Sequence, residues 1–97
     1  MDIEEHAELV SKIVEGMSKT FRRDIVKIIE DHGTSVAASV ATNVGIQMCG
    51  IGVCTVPEHA RDVVMQLIHE SLENNMHHFC SQIDADIAIK RAKEMSQ

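Results

Sequence analysis

The chain has 97 residues and a net charge of −6, and its core-forming aromatic residues are two Phe, with no Trp or Tyr. This length excludes two independent cores, so we predict one domain over 1–97. Because acids and bases are mixed in both halves, the charge pattern excludes a basic nucleic-acid surface and an acidic tail.

The first predicted element is a long helix between Asp2 and Gly33. Asp is a typical N-cap residue, and Gly commonly ends a helix. Apolar residues recur at steps of three, four or seven, the helical period: Ile3, Val10, Val14, Met17, Phe21, Ile25 and Ile28. The segment IVKII (25–29) is apolar on nearly all sides, so we expect this end of the helix to be its most buried part.

Residues 33–57 carry no charged side chain and no His, and they predict a central helix over 35–48. Three valines recur four residues apart, at Val36, Val40 and Val44. Beside them runs a stripe of small side chains at the same spacing, Ala37, Ala41 and Gly45. Residues four apart are neighbours on a helix, so this stripe lets a second backbone approach closely. We predict that these three small residues are packing or interface positions.

The stretch NVGIQMCGIGVCTV (43–56) is compatible with two structures. Apolar residues alternate with smaller or polar ones on both sides of Cys49 and Gly50, which is typical of a short hairpin. The glycines instead favour an irregular connection. We expect a helix to about Met48 followed by a glycine-rich loop. The alternative is an α+β fold with a short hairpin at 44–56.

A third helix is predicted after Pro57, which fits a first helical turn. Its apolar stripe has steps of three or four: Val64, Ile68, Leu72, Met76, Phe79, Ile83 and Ile87. We predict packing or interface roles for Val64, Ile68 and Leu72. Ser81 and Asp84 have the spacing of a capping signature, so this helix either continues to the C-terminus or breaks near Ser81.

Together these elements predict an all-α fold, a compact domain of three or four helices in which the first and third helices clamp the small-residue central helix. With Phe21 and Phe79 as its only aromatic candidates, the core must come from aliphatic side chains, which bury less area than aromatic ones. We therefore expect the chain to complete its burial as a homo-oligomer, most simply a twofold dimer.

Sulfur and imidazole side chains form a candidate zinc site. Cys49 and Cys54 lie in the predicted loop, and His77 and Cys80 lie one turn apart on the third helix. Zinc prefers thiolate and imidazole ligands, so these four residues are the predicted ligands of a structural zinc ion. The spacing of the two loop cysteines is not one of the specific short ones, and the alternative is that the thiols are small packed side chains without a cofactor.

His69, Glu73 and His77 recur four apart on one face of the third helix. Imidazoles that flank a carboxylate can bind a transition metal or transfer protons, but such a set on a polar helix face is typical of solvated surface. The nucleophile-elbow, dinucleotide and phosphate-loop signatures are absent from the sequence. We therefore predict that the protein is not an enzyme.

Nucleic-acid and membrane roles are not favoured. A helix-turn-helix at Gly33 would present Ser, Ala and Val where base readout requires Arg, Lys, Asn or Gln. The uncharged stretch 33–57 is long enough to cross a bilayer, but it contains hydroxyls, amides and four glycines and lacks a basic flank. The acidic start and three cysteines predict a cytoplasmic protein with reduced thiols.

By exclusion, the sequence predicts a small soluble non-catalytic protein that acts through protein–protein contacts, as an adaptor, inhibitor or regulator. Its expected partners are a second copy of itself and an unidentified protein. The alternatives are the zinc-binding domain and, less favoured, an enzyme that uses the His69, Glu73 and His77 face.

Overall fold

Three long helices make up the computed structural model, which describes residues 1–96. Helix α1 spans Ile3–His32, α2 spans Thr34–Thr55 and α3 spans Arg61–Met95, with one 3₁₀ turn at Glu58–Ala60 before α3. No strand occurs within residues 1–96. The all-α prediction is confirmed, and the alternative with a hairpin at 44–56 is wrong.

Both predicted ends of α1 are confirmed. The Asp2 carboxylate accepts a hydrogen bond from the Glu5 backbone N–H at 2.8 Å and so caps the first turn. Gly33 ends the helix with φ 91°, a conformation that favours glycine because it has no Cβ. Its N–H donates to the Ile29 carbonyl at 2.9 Å and its carbonyl accepts from the Ala37 N–H at 3.2 Å. This single residue therefore joins α1 and α2 into a helical hairpin.

The predicted glycine-rich loop after Met48 is not found, because α2 continues as helix through Thr55. A glycine inside a helix costs roughly 1 kcal/mol relative to Ala, which weakens a helix without ending it. The chain turns instead at Val56, whose backbone is extended at φ −96° and ψ 157°. The following Pro57 explains this position, since a residue before proline is driven out of the helical conformation.

Helix α3 is continuous over 35 residues and passes through Ser81 without a break. Its last third contacts the C-terminal part of α1 through two ion pairs. Arg22 Nε lies 2.7 Å from Asp86 Oδ2, and Lys90 Nζ lies 2.8 Å from Glu30 Oε2. These pairs fix the crossing of the first and third helices.

The core is small, and the prediction of a compact domain is wrong. Among residues 1–96 only Ile25, Val26 and Ala37 are buried hydrophobic residues. Burial of Ile25 and Val26 agrees with the expectation for the IVKII segment. The radius of gyration is 16.1 Å, whereas a compact domain of this length has about 12.5 Å. The three long helices overlap along only part of their lengths, so much of their apolar surface is left uncovered.

Candidate interaction surface

The exposed surface is large for a chain of this mass. It measures 7940 Å², about 2,400 Å² more than the roughly 5,500 Å² of a compact 10.7 kDa monomer. Much of this surface is contributed by large apolar side chains on all three helices. An exposed apolar patch larger than a few hundred Å² typically marks an interaction site.

An apolar groove of about 860 Å³ runs along the α1–α2 hairpin, and we call it the hairpin groove. Six apolar side chains from the two helices line it: Ile13, Val14, Met17, Phe21, Val44 and Met48. Lys12 and Asp24 lie at its two ends along α1. The side chain of Met17, near its middle, is 66% exposed.

The local sequence explains why the groove stays open. On the α1 side the apolar residues are large, whereas the neighbouring face of α2 carries the small residues Ala37, Ala41 and Gly45. Ala37 is buried, and Ala41 and Gly45 are half-buried. Small side chains bring the two helices together near Gly33, but they do not cover Met17 or Phe21 further along the hairpin. The predicted stripe of α1 therefore enters the core only at its C-terminal end.

Gly16 and Gly45 line the same groove. A Cβ built on either glycine meets no atom within 4 Å, and neither residue has a positive φ. Nothing within residues 1–96 therefore requires glycine at these two helical positions. Glycine weakens the helix at both positions, and no packing contact in the described part of the chain explains why glycine is there.

A second, smaller concavity of about 280 Å³ lies on α3, between Val64 and Phe79. The predicted packing residues Val64, Ile68 and Leu72 all line it. Val64 and Ile68 are half-buried, but Leu72 is exposed, and every residue from 69 to 81 is exposed as well. The middle of α3 thus adds a second uncovered apolar patch to the surface.

The predicted zinc ligands do not come together in one chain. Cys49 and Cys54 are five residues apart on α2, about 140° apart around its axis, so the two thiols point to different sides. Cys80 is exposed, and it lies with His77 in the uncovered middle of α3. Within residues 1–96 no three His, Cys, Asp or Glu side chains form a group suited to a metal ion. One chain in this arrangement does not bring Cys49, Cys54, His77 and Cys80 together, because the predicted loop that would curl round the ion is helical.

The His69, Glu73 and His77 face is solvated. His69 Nε2 lies 3.1 Å from Glu73 Oε1, and the two side chains are 72% and 67% exposed. Both groups belong to the exposed stretch of α3, and no concavity described above includes them. The face therefore has the geometry of ordinary polar surface and provides no enclosed space for a substrate.

Helix α2 is the one helix within residues 1–96 that is long and apolar enough to cross a membrane by length and composition. Ser35, Ser39 and Thr42 lie on the side opposite the buried Ala37. Asn43 lies beside them and donates from its side chain to the Ser39 carbonyl at 2.7 Å. The N-terminal half of the surface that would face lipid thus carries hydroxyl and amide groups, whereas the exposed Ile46 lies on the same side further along the helix.

Comparison of the chain with protein-family models, with curated proteins and with solved structures gave no significant match. The assignment of the interaction surface therefore depends on the geometry of this chain alone.

The sequence pattern did not single out Ile13, Met48 or the charged ends of the hairpin groove, and it placed Met17 and Phe21 only in a general helical stripe. One signal was available in the sequence. Leu9 and Ile13 lie outside the stripe that contains Val10, Val14 and Phe21, and they widen the apolar face of α1. When the apolar face of a helix is wider than one neighbouring helix can cover, the uncovered part indicates contact with a further helix or molecule.

Proposed function

We propose that this protein is a non-catalytic helical interaction module that binds protein through the hairpin groove. One observation carries the proposal: a groove of about 860 Å³, lined by six large apolar side chains, remains open on a chain with very few buried residues. Amphipathic helices commonly bind in such grooves through side chains spaced three or four residues apart. A binding surface of this kind is sufficient for an adaptor, inhibitor or regulator, since none of these roles requires catalytic residues.

The lining favours a protein ligand over a small molecule. Sites for small molecules combine an apolar enclosure with a few convergent polar groups that fix orientation. Here the two charged side chains, Lys12 and Asp24, lie at opposite ends, and the walls between them are mostly apolar. An elongated apolar surface with polar ends suits the side of a helix.

Protein also fits better than lipid as the covering partner. A membrane would have to accommodate the hydroxyls of Ser35, Ser39 and Thr42 on the outer side of α2. Unsatisfied polar groups in hydrocarbon cost several kcal/mol each. Thirteen acids and nine bases on α1 and α3 agree with an aqueous setting, and we extend the proposal to a cytoplasmic location.

The proposal is tested by photo-crosslinking with a benzophenone amino acid in place of Met17, in the cells that produce the protein. Met65 on α3 is the matched control, since it is the same residue type, is 57% exposed and lies outside the groove. Discrete protein adducts at position 17 and not at position 65 are expected, whether the captured protein is another copy or a different chain. Lipid adducts, or no discrete adduct at position 17, would contradict a protein-binding groove.

A further inference from the structure

We propose that the occupant of the hairpin groove is a second copy of this chain, docked antiparallel so that two α1–α2 hairpins form a four-helix bundle. This inference rests on the proposed function and names its partner. Bundles of this kind place apolar positions of all four helices in one shared core. A twofold axis crossing α1 near Met17 would bring the same groove of both copies into contact.

The uncovered area supports this partner. Each chain exposes about 2,400 Å² beyond a compact monomer of its mass. Obligate homodimers bury roughly 2,000–5,000 Å² in total, half of it from each copy. The surplus of one chain therefore matches the upper part of the contribution that a permanent dimer requires. A small peptide or a transient partner would leave most of it exposed.

The groove glycines support a close helix contact. Gly16 and Gly45 have open space where a side chain would project, as do the chain's other glycines, but these two are the glycines that line the groove. A second helix backbone lying against α1 and α2 would occupy this space. Glycine at these positions then has a physical reason that a single chain does not supply.

The charged ends of the groove support an antiparallel arrangement. Lys12 and Asp24 are twelve residues apart on α1, about 18 Å along its axis. Neither forms an ion pair within residues 1–96. An antiparallel copy centred between them places the Lys12 end of one chain against the Asp24 end of the other. Two symmetric opposite-charge contacts result, whereas a parallel copy would place like charges together.

A charge-exchange experiment tests this arrangement. Two variants are purified, Lys12→Glu and Asp24→Lys, and their masses in solution are measured by sedimentation separately and after mixing. Each variant alone has two like-charge contacts across the interface, so we expect its self-association to be roughly tenfold weaker than that of the wild type. In the mixed dimer the introduced Glu at position 12 faces the introduced Lys at position 24, and the native Asp24 faces the native Lys12. Both ends then have opposite charges, and we expect association near the wild-type level.

Recovery in the mixture is also the folding control, because a misfolded variant would not be rescued by its complement.

A second measurement uses Met17→Cys in a background with Cys49, Cys54 and Cys80 replaced by Ser. Under mild oxidation we expect a disulfide-linked pair of chains, since the twofold axis brings position 17 of both copies together. Met65→Cys in the same background is the control and is expected to stay unlinked.

Three outcomes would overturn the inference. The first is a wild-type chain that is folded and monomeric at every concentration. The second is a dimer whose charge variants associate no better when mixed than when separate. The third is capture of a different protein, or of lipid, at position 17. Capture of a different protein would leave the proposed function intact, whereas lipid or no capture would remove both.

Discussion

Arg22 Nε on α1 donates to Asp86 Oδ2 on α3 at 2.7 Å, across 64 positions of sequence. A second nitrogen of the same guanidinium donates to Ser18 Oγ at 2.7 Å, so Arg22 is held on both sides. The two charged side chains are partly buried. This contact is one of few that join the first and last thirds of the chain, and it sets where α3 crosses α1.

Replacing Asp86 with Asn should therefore destabilise the fold. We expect the free energy of unfolding to fall by about 1 kcal/mol, because the charge-assisted hydrogen bond to Arg22 is weakened in a partly screened position. Urea denaturation followed by circular dichroism measures the change. Asp84→Asn is the control, since Asp84 is exposed on the same helix and should shift the unfolding free energy by less than about 0.5 kcal/mol. Equal effects of the two variants would show that the Arg22 contact contributes nothing.

We expect the fold to lose stability at alkaline pH, because the Lys90 ammonium group then loses its proton. Its hydrogen bond to Glu30 raises the pKa of Lys90 above the ordinary value of 10.5. A raised lysine pKa in the folded state stabilises the fold fully below about pH 10.5 and loses this effect as pH rises through the folded pKa. Melting temperatures measured from pH 9 to pH 12 should thus fall more steeply at the alkaline end for the wild type than for Lys90→Gln. Lys93→Gln should keep the wild-type profile, and a Lys90→Gln profile parallel to it would contradict the prediction.

Gly16→Ala should have opposite effects on the helix and on association. An added methyl group has open space within the chain, so helix propensity alone predicts a gain of up to about 1 kcal/mol. In the proposed dimer the same methyl group meets the second backbone and weakens association. Thermal melts in dilute solution and sedimentation at higher concentration separate the two effects. Gly50→Ala, outside the groove, should gain helix stability without weakening association.

Removal of metal should leave the protein unchanged. The four predicted ligands Cys49, Cys54, His77 and Cys80 are spread over two sides of α2 and the exposed middle of α3, so one chain provides no tetrahedral site. We expect no bound zinc in protein purified without chelator and the same melting temperature before and after EDTA. One zinc ion per chain, with a melting temperature that collapses in EDTA, would show that the cysteines meet in another arrangement, for example between copies.

The helix boundaries that follow from local chemistry could be predicted from the sequence. Asp2 as a cap, Gly33 as a stop and Pro57 as the start of the next turn each act through the backbone of a few neighbouring residues. The end of α2 could not be predicted in the same way. The choice between helix and loop at Gly50 and Gly52 depends on a sum of small propensities, and in the structure the helix persists until Pro57 ends it.

Burial was harder to predict than helix type. The spacing of Val14, Met17 and Phe21 marks one face of α1, but spacing alone does not say whether that face meets another part of the same chain or a second molecule. The four separated zinc ligands illustrate the same limit, because sequence distance does not fix the direction of side chains on two helices. Three-dimensional placement decides both questions.

Self-association through the hairpin groove is the central claim, and sedimentation equilibrium of the wild type beside Met17→Glu tests it most directly. The wild type should sediment at micromolar concentration with twice the chain mass of 10.7 kDa. Met17→Glu should be a helical monomer, because a carboxylate without a partner would be buried at the centre of the interface. Met65→Glu should remain a dimer. A folded wild type with the mass of one chain at all concentrations would contradict the claim.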